Sequence, residues 1–183
     1  IISQNTNDRN TIRAFGNLKR ALGEITPERV LEAPEAIIES ALRVAGLYRN
    51  KTRVLKEVAR AVVERYGGRL DAVLEKPLDE ARAELTSLPG VGPKTADVVL
   101  MFCAGQPVIP VDTHVRRVSW RLGFTRPSDG YEEVRRKLEE LIPPEDRMPA
   151  HLLLIQLGRA YCKARKPLCS KCVVRDLCPS APR

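Results

Sequence analysis

Four thiols crowd the C-terminal end of the chain, spaced Cys162-x6-Cys169-x2-Cys172-x5-Cys178. With no secretion signal at the head of the sequence, such a cluster points to a metal centre rather than a disulfide framework. Spacing alone leaves two centres open. Zinc sites of four cysteines commonly use two Cys-x2-Cys knuckles, and only one is present here. An iron–sulfur cluster also takes four cysteines. A second constellation is Lys94 with Asp112. A lysine is a nucleophile only when its amine is neutral. Lys94 falls at the second residue of an expected helix, beside the positive end of the dipole, where an ammonium is disfavoured. Ala96, Val99, Leu100 and Cys103 behind it would add desolvation. Asp112 precedes Thr113-His114-Val115 at the start of another expected helix, a natural N-cap whose carboxylate the helix amides would hold as an anion. The plainer readings are a surface lysine and a capping aspartate. His114 and His151 join no nucleophile or metal constellation and read as structural; Trp120 reads as core.

These groups need a scaffold, and the scaffold is helical. Nearly every segment has helical period and none alternates as a strand does. Val54, Leu55, Val58, Ala61, Val62 and Tyr66 form one apolar stripe, stopped by Gly67-Gly68. Ile37, Ile38, Ala41, Leu42 and Ala45 form another, and Leu78, Ala81, Leu85 and Leu88 a third. Val111, Val115, Val118 and Leu122 line one face, with Arg116, Arg117 and Arg121 falling away from it. Val134, Leu138 and Leu141 line the next helix. Leu152 to Tyr161 is apolar almost all round and predicts a central buried helix. The fold class is all-α, about eight to ten short helices. Between the third stripe and Lys94 runs Leu88-Pro89-Gly90-Val91-Gly92-Pro93. Its glycines permit a tight turn with uncovered N–H groups, and Pro93 suits a first helical position. Exposed amides at a helix start form an anion site, and on DNA the anion is a phosphate. Leu88, Gly90, Val91 and Gly92 are therefore candidate DNA contacts, against the alternative of an ordinary helix–helix turn.

The stretch from Leu85 through Leu100, with Val111-Asp112-Thr113-His114-Val115, resembles the endonuclease III family of helix-hairpin-helix DNA glycosylases and AP lyases. The cysteine pattern, with Gly158-Arg159 before it and Ala164-Arg165-Lys166-Pro167 inside it, resembles that family's [4Fe–4S] loop. The resemblance implies a six-helix barrel lobe over 1–110 with the hairpin at 79–103. It also implies a cluster lobe over 111–183 with the iron–sulfur loop at 162–178. It implies Lys94 as the nucleophile, Asp112 as the catalytic carboxylate, and the four cysteines as cluster ligands. Gly46-Leu47-Tyr48 resembles the loop whose leucine fills the gap left by a flipped base. Ser3 to Asp8 resembles the segment carrying a second wedge, with Asn5 at that position and Gln4 beside it. Within the cluster loop, Lys166 and Lys171 are candidate phosphate contacts. Relatives carry a further N-terminal helix; the opening Ile1-Ile2-Ser3-Gln4 reads as mid-helix and has no initiator Met, so the expectation is that a preceding segment is missing.

The bulk composition agrees. Thirty-one Lys and Arg against 23 Asp and Glu give +8, which favours a polyanionic partner. Aromatic residues at 4% argue against a stacking platform for single strands. No apolar run approaches the roughly 20 residues that span a bilayer. The expected partner is double-stranded DNA containing damaged bases or abasic sites. The expected setting is a monomer with no membrane association, in the cytoplasm of a prokaryote at the nucleoid. The implied activity is excision of oxidised pyrimidines followed by strand cleavage through a lysine Schiff base. Two alternatives stand beside it: a monofunctional mismatch glycosylase, a subgroup that generally lacks a lysine at the position of Lys94, and a non-catalytic DNA-binding module.

Overall fold

The computed structural model describes residues 1–182, and no strand occurs among them. By compactness the chain divides into two units, one ending at Pro93 and the other beginning at Lys94.

In the first unit, α1 (Asp8–Leu22) starts where Asn7 Oδ1 accepts from the Asn10 amide at 2.9 Å. Residues 1–7 are turns, not the middle of a helix, because this cap starts the helix only at Asp8. Thr26 caps α2 (Pro27–Glu32) in the same way, with Pro27 pre-set for the first turn. Helix α3 (Glu35–Leu42) runs into a 3₁₀ turn over Arg43–Ala45, and α4 (Tyr48–Tyr66) follows. Gly67, left-handed, ends α4 by donating to the Val63 carbonyl at 3.0 Å. Two short helices, α5 (Asp71–Leu74) and α6 (Leu78–Thr86), complete the unit. Its core is Ala14, Leu18, Val30, Ile38, Leu42 and Ala59, where α1 meets α3 and α4 meets α2 and α3. Ile37 lies outside this core, on the exposed side of α3.

The second unit holds α7 (Pro93–Ala104), α8 (Thr113–Arg121), α9 (Tyr131–Leu141) and α10 (Arg147–Ala160). Ile109, Val111, Val115, Val118, Val134, Leu138 and Leu154 make its core. Helix α10 lies on α8, and Gly158 is what lets them close. A Cβ there would come within 2.9 Å of His114 Cβ and Nδ1 and 3.2 Å of Val118 Cγ2. Three expectations fail in this unit. Leu152 and Leu153 are exposed, Leu153 by 63%, so α10 is not buried all round; among the described residues it is covered chiefly on the side that meets α8. Leu141 is exposed because α9 ends there, past the turn that Leu138 anchors. Trp120 is 38% exposed, on the side of α8 away from Val115 and Val118.

Candidate functional site

Lys94 occupies the second position of α7, as its proline-led start requires. Its side chain is exposed, and so is Cys103, so the expected cover from Cys103 is absent; Ala96, Asp97, Leu100 and Met101 are the residues α7 buries. Asp112 caps α8, its Oδ1 accepting from the Val115 amide at 2.7 Å. His151, on α10, is buried with its ring edge-on to Phe102 at 6.0 Å. Its Nδ1 bonds no protein atom. Burial holds this imidazole below its ordinary value of 6.5; the Asp112 charge and the Pro110 carbonyl oppose that, and the Lys94 charge adds to it. His151 was legible only as structural, since nothing local in the sequence pairs it with either group.

Asp112 is reached through a buried connector. Val108, Ile109 and Val111 are buried, and buried backbone amides must find acceptors. Side chains of α9 provide them. The Ile109 amide donates to Glu139 Oε1 at 2.9 Å, and the Val111 amide donates to the Tyr131 hydroxyl at 3.3 Å. The Tyr131 hydroxyl in turn donates to Asp97 Oδ2 at 2.7 Å, and Asp97 is fully buried one turn along α7 from Lys94.

All four of Cys162, Cys169, Cys172 and Cys178 line one cavity of about 280 Å³, walled by Val118, Leu122, Leu157 and Val174. No three of the described His, Cys, Asp and Glu side chains converge tightly enough for a single ion. Zinc needs its sulfurs about 2.3 Å from one atom. A four-iron cluster takes one thiolate on each iron, and the four cysteines at one cavity are the donor set it needs. Arginines expected to fall away from the core hold this loop instead. Arg117 Nε donates to the Cys162 carbonyl at 2.8 Å and Nη2 to the Gly158 carbonyl at 3.2 Å. Arg121 Nη1 donates to the Lys163 carbonyl at 2.8 Å and lies 3.5 Å from Cys162 Sγ. Their spacing of one turn on α8 was the available signal. Lys166 and Lys171 are exposed on the loop, Lys166 with left-handed backbone.

In the first unit the hairpin turn is closed by the Val91 amide donating to the Leu88 carbonyl at 3.1 Å. Val91 is therefore not a free donor, which leaves Gly90 and Gly92 as the candidate amides. Leu88 is buried, so its side chain packs rather than reaching outward. Gln4 Nε2 donates to the Gly90 carbonyl at 2.9 Å, bringing two of the sequence candidates together. Asn5 beside it is exposed and left-handed. Leu47 is also left-handed and 60% exposed, projecting from the turn that opens α4. Buried Lys51 braces that turn, donating to the Ala45 carbonyl at 2.8 Å.

Comparison with known proteins follows the same outline. Residues 1–144 match the model of the HhH-GPD superfamily base excision DNA repair proteins, and residues 162–178 match the iron–sulfur binding domain of endonuclease III. An endonuclease III of Sulfolobus acidocaldarius is 43% identical over 178 residues, covering 97% of this chain and 78% of its own. A solved structure of a trapped endonuclease III–DNA covalent intermediate matches with a TM-score of 0.86 at 37% identity, covering 98% of this chain and 79% of that one. A thermostable thymine-DNA glycosylase matches with a TM-score of 0.82 at 26% identity, over the same shares of the two chains. The fold, the hairpin and the cysteine loop thus agree with the sequence relationship, and the chain belongs to the HhH-GPD superfamily of base excision repair proteins and, within it, to the endonuclease III family of DNA glycosylases with a [4Fe–4S]-binding domain.

Proposed function

We propose that the chain is a bifunctional DNA glycosylase and AP lyase that removes oxidised pyrimidines from duplex DNA. The observation that carries this reading is the placement of Lys94 at the start of α7 and of Asp112 at the cap of α8, in a chain 43% identical to an endonuclease III. The damaged nucleotide is flipped from the stack, at a cost of a few kcal/mol that damage lowers. The Lys94 amine gives up a proton and attacks C1′; the C1′–N bond breaks and its electron pair leaves with the base, which takes up a proton. The Asp112 carboxylate stabilises the positive charge that develops on the sugar. The amine nitrogen then becomes an iminium as the sugar ring opens. Loss of a C2′ proton expels the 3′ phosphate and cuts the strand. The amides of Gly90 and Gly92 hold backbone phosphate, and Leu47 and Asn5, with Gln4 beside it, fill the space the base leaves. Cys162, Cys169, Cys172 and Cys178 hold the [4Fe–4S] cluster, which when bound braces their loop so that Lys166 and Lys171 meet phosphate. The enzyme acts as a monomer.

Borohydride tests the assignment. It should trap a covalent protein–DNA adduct on a duplex bearing an oxidised pyrimidine, and Lys94→Gln should abolish the adduct while leaving DNA binding intact. Trapping by Lys94→Gln at the wild-type rate would assign the nucleophile elsewhere. The likeness to a thymine-DNA glycosylase supports a second reading, excision of a mispaired normal base by water. Base release from a mismatch with no trapped adduct would favour it.

A further inference from the structure

Asp112 can stabilise a charge on the sugar only if its carboxylate is held in place, and the cap bond to Val115 fixes only one end of it. The other constraint comes through the preceding peptide. The Val111 amide donates to the Tyr131 hydroxyl, which donates to Asp97 on the same helix as Lys94. A carboxyl, a phenol and a peptide amide thus link the helix of the amine to the residue before the carboxylate. We infer that Tyr131 and Asp97 are positioning residues for the excision step, setting Asp112 in register with α7. This rests on the reading of Asp112 as the charge-stabilising group.

The phenol suits this role because it is both donor and acceptor. It accepts from a buried amide that no neighbouring strand serves, and it donates its own hydrogen bond to a fully buried carboxyl. Two residues earlier the Ile109 amide is tied to the same helix through Glu139, which Arg135 holds at 2.8 Å. The connector therefore hangs from α9 at two points, and the Tyr131 point is the one next to Asp112. Displacements near 1 Å at a reacting centre can slow chemistry by roughly 10²-fold. Removing one tether of two should do less.

The test is Tyr131→Phe, which keeps the ring and deletes the hydroxyl. Single-turnover base excision should slow roughly tenfold while DNA affinity stays at the wild-type value. Trapping on a pre-formed abasic site should change little, because the base has already left. In an Asp112→Asn background the same change should slow excision no further, since a residue acting through Asp112 has nothing left to position. From the α7 side, Asp97→Leu should reproduce the loss, and Asp97→Asn, which still offers an oxygen, should recover most of it; this pair serves if Tyr131→Phe does not fold. Excision by Tyr131→Phe at the wild-type rate overturns the inference, as does a loss that multiplies in full with that of Asp112→Asn. If Asp112→Asn itself excises normally, the reading of Asp112 fails and the inference falls with it; slow Asp112→Asn beside normal Tyr131→Phe fails the inference alone.

Discussion

His151 carries a consequence that reaches beyond the reaction. Its ring is buried against Phe102 and its ordinary value of 6.5 is lowered by that burial, more than the Asp112 charge and the Pro110 carbonyl restore. As pH falls through 6.5, the unfolded chain binds a proton at this imidazole before the folded chain does. Stability is then lost on acidification and is unaffected by this group above that range. The steepest contribution one group can make is about 1.4 kcal/mol per pH unit. Urea midpoints should therefore drop between pH 7 and pH 5 more in the wild type than in His151→Leu. Carboxylates that do not interact with the ring contribute equally to both proteins and cancel in the difference. Parallel curves would mean that the imidazole is protonated as readily in the fold as out of it. The same residue shows where sequence reading stops: a lone histidine on an apolar helix reveals its burial, but not which charges the fold will aim at it.

Several helix ends were legible because local rules determine them, while α1 and α2 were not read from the sequence. Pro93 opens α7, Asp112 caps α8 and Gly67 closes α4, each by chemistry confined to a few neighbouring residues. Which faces are covered was less legible. Leu152 to Tyr161 is apolar almost all round, yet coverage depends on how many partners a helix has, and α10 is packed chiefly on α8. The Tyr131–Val111 bond and the Arg117 and Arg121 bonds to the cysteine loop join residues far apart in the chain, so no spacing announces them. The hairpin offers a test of what its two glycines separately do. Gly90 has left-handed backbone, φ +67°, and a Cβ there would overlap Cγ1 of Val54. Gly90→Ala should cost about 1–3 kcal/mol of stability and lower the melting temperature. Gly92 has ordinary φ and nothing within 4 Å of the Cβ position. Gly92→Ala should melt as wild type does but bind duplex DNA about tenfold more weakly, since a methyl group would stand between its amide and a phosphate. Unchanged affinity for Gly92→Ala would show that the hairpin does not grip DNA through that amide.

At the scale of the whole chain, the +8 charge and the cysteine loop bear on the same question, how DNA is held without regard to sequence. The loop between Cys162 and Cys178 contains no α-helix, only 3₁₀ turns over Cys169–Lys171 and Arg175–Leu177. Leu177 is 83% exposed and Val173 is exposed as well, so the loop buries little of its own apolar surface. Its order must come from elsewhere: the arginines of α8 hold its first residues, and on the ligation proposed above a [4Fe–4S] cluster would tie its four thiolates together. The holoprotein should be yellow-brown, with about four irons per chain. Each phosphate neutralised by a lysine releases counterions, so log K should fall with log salt by about 0.9 per contact. If the cluster orders the loop so that Lys166 and Lys171 reach phosphate, replacing both by Ala should flatten the slope by about one to two. Oxidative loss of the cluster should flatten the wild-type slope by the same amount and leave the double variant's slope where it was. Measuring the four slopes, wild type and variant with and without iron, separates the possibilities. A wild-type slope that survives cluster loss would mean the lysines bind phosphate from a loop already ordered by Arg117 and Arg121. A slope unchanged by the lysine substitutions would place the loop off the DNA, and the charge that holds the duplex would have to lie among the remaining basic residues.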